Sequence, residues 1–384
     1  MIDKGDQREQ RLRKLMALRA AEIDPYPARF SCTHSVADAL QAFGSAEPDA
    51  ELPTVRTAGR LMAIRVMGKA SFAHIMDGSG RIQIYLRQDI VGEQAYEFFR
   101  KSFDLGDFIG VEGTLFRTRT GEITIKVLSF EMLAKSLRPL PEKWHGLTDV
   151  ETRYRQRYLD LLANERVRQV FITRTRMVSA IRRFLDARGF LEVETPILQP
   201  IYGGAAARPF VTHHHALDID LYLRISDELY LKRLIIGGLD RVYEIGRDFR
   251  NEGISTKHNP EFTQIEVYQA YADYNDVMCL VEELWYTVAK EVLGTAKLTY
   301  QGHTVDLTPP WTRVTMRDAI LEASGVDIEV CTDLPSLRRR VSELKLELDA
   351  KPTWGKQIDE LFKEYVEPKL IQPTFILDYP LDIS

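Results

Sequence analysis

Residues 261–269 set an aromatic ring, an amide, a carboxylate and a phenol at alternate positions: Phe262, Gln264, Glu266 and Tyr268. In an extended strand successive side chains point to opposite faces, so these four share one face and Thr263, Ile265 and Val267 share the other. The odd-numbered face is apolar and belongs on a core. The even-numbered face is a poor choice for burial unless it lines a site. A ring offers a stacking surface, and a carboxylate in a recess needs a cation to offset its desolvation. Four steps of roughly 3.3 Å put Phe262 and Glu266 about 13 Å apart. That span suits a small molecule with a flat ring at one end and a cation at the other, such as a nucleotide joined to a basic group. Upstream, Arg250, Lys257 and His258 aim cations at something anionic.

Two runs rich in aromatic and β-branched residues flank the polar segment Asn251 to Asn259, the pattern of an antiparallel hairpin with a long loop. Phe249-Arg250-Asn251-Glu252, followed after the loop by His258-Asn259-Pro260-Glu261-Phe262-Thr263-Gln264-Ile265-Glu266, resembles motif 2 of the class II aminoacyl-tRNA synthetases. Its wording is similar to that of the lysyl-tRNA synthetases; in aspartyl and asparaginyl relatives the position of Glu266 is typically an aspartate. The resemblance implies that Arg250 is the catalytic residue, holding the α-phosphate of ATP. It implies that Glu252, His258, Asn259 and Phe262 also bind ATP, with Lys257 near the outer phosphates. Glu266 and Tyr268 would then receive the side chain of L-lysine, Gly204 would contact the amino acid, and Glu228 would bind its α-amino group. Without the resemblance, Glu228 also reads as a carboxylate suited to a helix start, and Gly203-Gly204 as a plain loop.

The 384 residues suffice for two or three domains, and 45% hydrophobic with 28% charged residues describes a soluble globular chain. No run approaches the roughly 18 apolar residues of a membrane span, and the polar stretch Met1 to Gln10 has no signal-peptide core. A cytoplasmic location without a membrane partner is expected. Cys32, Cys279 and Cys331 are too far apart for a Cys-x-x-Cys motif. The net charge of -5 means that any RNA footprint must be local.

Residues 4–20 read as a helix with Leu12, Leu15 and Met16 on one stripe. It is either an exposed basic helix that approaches RNA phosphates or a solvated helix packed on the next domain. Residues 24–53 read as a connector with a short helix near 36–43. Five strands follow, at 55–66, 72–77, 81–86, 108–116 and 123–133, with a helix at 93–102 after the third, the layout of an oligonucleotide-binding (OB) barrel. Phe72, His74, Arg81, Gln83 and Tyr85 fall on its outer face, ringed by Arg60, Arg65 and Lys69. Such a surface offers stacking and hydrogen bonds to single-stranded RNA. In the lysyl family the positions matching Phe72, Gln83 and Glu122 read the central uridine of the anticodon, so the resemblance implies an anticodon-binding domain and tRNA(Lys) as partner.

Beyond a linker, Glu151-Thr152-Arg153-Tyr154-Arg155-Gln156-Arg157-Tyr158-Leu159-Asp160 is similar to the family's entry into the catalytic domain. A helix over 167–188 closed by Gly189, then a strand over 190–196, resembles motif 1 and implies a homodimer through residues 166–196. A strand over 222–226, a helix over 227–236, another over 274–293 and two within 316–346 follow. The expected fold is α+β: a helical extension (1–54), a five-stranded OB-fold β-barrel (55–138), a linker (139–150), and a class II synthetase antiparallel-sheet catalytic domain flanked by helices (151–384). In the family the Mg²⁺ ligands and motif 3 lie beyond the point matching Ser384. The expectation is therefore a catalytic domain incomplete at its C-terminus, with no metal ligand in this chain and Mg²⁺ as the cofactor of ATP. The implied reaction is activation of lysine to lysyl-adenylate and transfer to the tRNA 3′ end. Two rivals are a paralogue that lysylates an elongation factor, against which the barrel argues, and a synthetase-derived RNA-binding or regulatory protein.

Overall fold

The computed structural model describes residues 4–45, 54–140, 147–255 and 258–383. The chain divides into two compact units, Met1–Val167 and Arg168–Ser384.

In the first unit, α1 (Lys4–Ala20) and α2 (Val36–Gly44) precede β1 (Thr54–Met67), β2 (Ala70–Met76) and β3 (Arg81–Arg87). Then come α3 (Gln88–Val91), α4 (Glu93–Ser102), β4 (Phe108–Arg117) and β5 (Ile123–Ala134), and after them α5 (Val150–Arg155) and α6 (Arg157–Ala163). The strands close a barrel in the order β1-β2-β3-β5-β4, in which only β3 and β5 run parallel. Alternation assigns the faces: Ala73, Ile75, Ile82, Ile84 and Leu86 are buried, while Phe72, His74, Gln83 and Tyr85 between them stay half-exposed. The helix α1 departs from the expected stripe. Arg11, Leu15 and Leu18 form its buried face, and Met16 is 66% exposed. The reason is Arg11, whose guanidinium donates to the carbonyls of Leu105, Ser136 and Arg138, while Lys14 pairs with Asp104 at 2.7 Å. These basic residues pin the helix to the barrel and are not free for RNA.

The second unit is led into by α7 (Glu165–Asp186), after which the chain passes through Gly189 in the left-handed conformation, at φ +76°. It continues through β6 (Leu191–Glu192), β7 (Leu198–Gln199), β8 (Val211–His214), β9 (Ile219–Leu223), α8 (Glu228–Ile236), β10 (Arg241–Phe249), β11 (Glu261–Gln269) and α9 (Tyr274–Leu293). Last come β12 (Lys297–Tyr300), β13 (His303–Asp306), β14 (Thr312–Thr315), α10 (Met316–Ser324), α11 (Leu334–Glu343), α12 (Trp354–Tyr365) and β15 (Thr374–Leu377). The hairpin β10–β11 is antiparallel, with Glu244 opposite Glu266 and Asp248 opposite Phe262, and β6 adds in parallel to β10. β6 is shorter than the strand expected over 190–196: after the Val193 N–H donates to the Tyr243 carbonyl, Thr195 turns its own donors onto the Glu244 carboxylate. β9 ends at Leu223 and not at Ser226, because Arg224 to Asp227 are drawn into the interior. α9 is started by a capping box, Asp273 with Asp276, and stopped by Gly294 in the left-handed conformation. The segment with β14, β15 and α10–α12 closes over its own core, around Ile320, Leu337, Ile358 and Leu361.

The apolar face of β11 is covered along only part of its length. Val267 and Ile245 pack with Leu280 and Leu284 on Phe184, Leu185, Phe190 and Tyr243. Ile265 remains 36% exposed, and Thr263 accepts a bond from Arg174 at the surface. The expectation of a core under the whole face is thus corrected: apolar side chains pack on its Val267 end, whereas at Thr263 the face meets the guanidinium of Arg174 from α7.

Candidate functional site

The even-numbered face of β11 meets the turn between β9 and α8, which brings Glu266 under four donors. Its Oε1 accepts from Ser226 Oγ at 2.6 Å, Gln264 Nε2 at 2.8 Å and the Asp227 N–H at 3.2 Å, and its Oε2 from Tyr268 OH at 3.1 Å. Burial, and then the neighbouring Glu266 carboxylate, push the Tyr268 phenol up, so it stays protonated and donating. Gly204, at φ +87°, lies against this turn. A Cβ there would stand 2.7 Å from Ser226 Oγ and 2.8 Å from Glu228 Cβ, so only glycine fits. Glu228 is half-buried in the first turn of α8, paired with Lys232 at 2.5 Å. Gly204, Glu228, Glu266 and Tyr268 thus converge from three stretches of chain.

Toward the loop end of the hairpin, Arg250, Glu252, His258, Asn259 and Phe262 line one cavity of about 240 Å³ with Gly253 and Pro260. The Arg250 guanidinium stands 5.2 Å from the centre of the Phe262 ring, and its backbone N–H donates to the Pro260 carbonyl at 2.9 Å. Ser255 Oγ contacts His258 Nδ1 at 2.8 Å, and Asn259 Nδ2 donates to the Glu261 carbonyl at 2.7 Å, both of which order the loop. Glu252, His258 and Asn259 are exposed, Arg250 and Phe262 half-buried. Lys257 lies outside the described residues. A ring and a guanidinium at one end and an engaged carboxylate at the other therefore occupy one strand face, as the alternation requires.

Beneath Glu266 sits a constellation the sequence does not announce. Arg224, 1% exposed, donates to Glu244 Oε1 at 2.5 Å, to the Arg247 carbonyl at 2.9 Å and to Thr195 Oγ1 at 3.2 Å. Its guanidinium also lies 2.8 Å from Asp227 and 3.1 Å from Asp248, off hydrogen-bond geometry. Burial pushes the Asp227 carboxyl up to about 8, with Asp248 adding to the rise and Arg224 opposing it. Burial likewise pushes Asp248 up to about 6 against the pull of Arg224. Gly246 makes the approach possible, since a Cβ there would fall 1.9 Å from Arg224 Nη2.

On the barrel, Phe72, His74, Arg81, Gln83, Tyr85 and Glu122 line a cavity of about 770 Å³. Glu122 accepts from Gln83 Nε2 at 2.7 Å and contacts His74 Nε2 at 2.7 Å, and Phe72 stacks on Tyr85 with ring centres 4.5 Å apart. Arg65 joins this lining, but two residues expected in the ring do not. Arg60 packs over Phe108 and donates to the Gly106 carbonyl, and Lys69 borders a separate recess with Arg87. Phe116 and Arg119, near the β4–β5 turn, complete the wall. Their outward position depends on how β4 pairs with β5, which alternation within β4 alone does not reveal.

Residues 149–384 match the family described as tRNA synthetases class II (D, K and N), and residues 55–133 match the OB-fold nucleic acid binding domain described as tRNA anti-codon. A lysine–tRNA ligase of Moorella thermoacetica is 58% identical over 97% of this chain and 76% of its own length. One from Pelotomaculum thermopropionicum is 56% identical over 97% of this chain and 73% of its own length. One from Roseiflexus sp. is 54% identical over the whole chain and 78% of its own length.

Proposed function

The chain belongs to the class II tRNA synthetases, and from that premise we propose that it activates L-lysine with ATP and transfers the lysyl group to the 3′ end of tRNA(Lys). The observation that carries the choice of lysine is Glu266, a recessed carboxylate held by four donors on the same strand face as the Arg250–Phe262 cavity. An ammonium pairs with it. An aspartate side chain is repelled, and a neutral one leaves a desolvated anion without a partner.

A carboxylate oxygen of lysine attacks the α-phosphorus of ATP, the bond to the β-phosphate breaks, and pyrophosphate leaves. The terminal ribose hydroxyl of tRNA then attacks the carbonyl of the adenylate and AMP leaves. Neither step needs a protein nucleophile, so the residues act by positioning and by stabilising charge. Phe262 stacks on adenine, and Arg250 holds the α-phosphate with two parallel N–H donors. His258 meets the outer phosphates, while Glu252 and Asn259 fix the adenine end and the loop. Gly204 and Glu228 take the backbone and α-amino group of lysine, and Glu266 with Tyr268 its side chain. Mg²⁺ neutralises a triphosphate when bound. The described carboxylates that come together, Asp227, Asp248 and Glu266, lie within 4.8 Å of one another, with the Arg224 guanidinium already against Asp227 and Asp248. With a guanidinium already among them they do not fit a triphosphate-bound ion.

Phe72, Gln83 and Glu122 read the anticodon by stacking and hydrogen bonds. Exposed Val170, Phe171 and Leu191 support a homodimer through residues 166–196, and the reaction belongs to cytoplasmic translation. No helix among the described residues is long and apolar enough to cross a membrane. The test is ATP–pyrophosphate exchange by the full chain with lysine, aspartate or asparagine. Exchange should require lysine and vanish in Arg250→Ala. Exchange with aspartate in its place overturns the assignment, and no exchange beside intact tRNA binding favours the RNA-binding rival.

A further inference from the structure

The amino-acid end holds more negative charge than recognition of lysine by Glu266 requires. Asp227, at the start of α8, and Asp248, on β10, are both fully buried, and none of their carboxylate oxygens has a hydrogen-bond donor. Other titratable and charged groups face them from each packed element. Arg224 comes from the end of β9, Glu244 and Arg250 from β10 and its end, and Glu266 and Tyr268 from β11. Three carboxylates, Asp227, Asp248 and Glu244, thus share the Arg224 guanidinium, whose best bonds go to Glu244, the Arg247 carbonyl and Thr195. Oxygens of Asp227, Asp248 and Glu266 lie within 4.8 Å of one another. Buried anions without donors are unfavourable unless a cation arrives or a proton stays.

We propose that Asp227 and Asp248 are specificity-determining residues: a second carboxylate layer under Glu266 that holds a proton while the site is empty and releases it when the substrate's ammonium enters. The inference rests on the lysine reading and deepens it. The ammonium enters with its three protons and its positive charge, one proton leaves the Asp227–Asp248 pair for solvent, and the site with its substrate keeps the total charge it had before. Burial raises both carboxyls, Asp227 to about 8 and Asp248 to about 6. Because the two are neighbours, the proton belongs to the pair and not to one residue. A neutral side chain of similar length displaces no proton and leaves the Glu266 carboxylate without a cation, so the site rejects it. The layer also explains why Glu266 is braced by four donors, since an unbraced carboxylate would be driven away from two others so close.

The test is calorimetric titration of lysine into the full chain in two buffers of different ionisation enthalpy, at several pH values from 6 to 8. The expected result is net release approaching one proton per lysine bound, with the dissociation constant falling up to tenfold per pH unit in that range. The double variant Asp227→Asn with Asp248→Asn should lose the pH slope and bind lysine at least tenfold more weakly at pH 8. Lysine binding without proton release in the unmodified chain, at a constant affinity across the range, overturns the proposal and leaves the lysine reading standing. No lysine binding beside normal ATP binding overturns both. Since the proton count is taken on the unmodified chain, the result does not depend on the variant folding.

Discussion

Replacing Glu266 with glutamine separates the two ends of the strand face. The substitution keeps shape and most bonds: the amide oxygen can stand where Oε1 accepts from Ser226, Asp227 and Gln264, while the amide nitrogen turns to Tyr268, whose hydroxyl can accept in place of donating. What is lost is one negative charge beside the ammonium. At about 4 Å and an effective dielectric of about 20, that pair is worth roughly 4 kcal/mol, and about 3 kcal/mol remains after the retained hydrogen bond is credited. Lysine affinity should fall roughly a hundredfold, at 1.4 kcal/mol per decade. The ATP end lies about 13 Å away along the strand, where one charge acting through water is worth about 0.3 kcal/mol, less than a twofold change. Titrating ATP and lysine separately into Glu266→Gln reads both numbers. Equal losses would refute the division of the face, and unchanged lysine affinity would remove Glu266 from the amino-acid site.

Gly246→Ala drives a Cβ into the Arg224 guanidinium, which Glu244, Thr195 and the Arg247 carbonyl hold in place. We expect about 3 kcal/mol or more of destabilisation by thermal or urea unfolding, and an unchanged midpoint would show that Arg224 can move aside. Asp227 titrates above its unfolded value of about 3.9, so the folded chain keeps a proton that the unfolded chain has lost. Its contribution to stability is fullest below about pH 4 and declines until about pH 8. Asp227→Asn should therefore raise the melting temperature at pH 8 more than at pH 5, by on the order of a few kcal/mol in stability; the reverse order would contradict a buried, proton-holding carboxyl. Phe72→Ala removes a stacking face worth about 1–3 kcal/mol per base. Filter binding should show tRNA affinity reduced roughly five- to a hundredfold, with lysine-dependent exchange unaltered.

Much of the candidate site is legible in the order of residues because a strand has a period of two whatever surrounds it. That alone places Phe262, Gln264, Glu266 and Tyr268 on one face, and Phe72, His74, Gln83 and Tyr85 on the outside of a barrel whose inner residues are Ile, Leu and Ala. The hairpin, the barrel strands and the capped helices follow from equally local chemistry. Tertiary structure decided the rest. Ser226 and Asp227 reach Glu266 across 40 and 39 residues of chain, and Arg224 joins Thr195, Glu244, Asp227 and Asp248 only after β9 and β10 are brought together. Whether an apolar face is covered is also a property of the partner, not of the face. Ile265 stays exposed because the apolar cluster around Val267 does not extend to it, and Met16 yields the interior to Arg11, which answers three carbonyls on the barrel. Periodicity is set by the backbone of each residue and its neighbours, whereas desolvation and charge crowding depend on atoms distant in sequence, which is why the row could be read directly and the buried carboxylates beneath it could not.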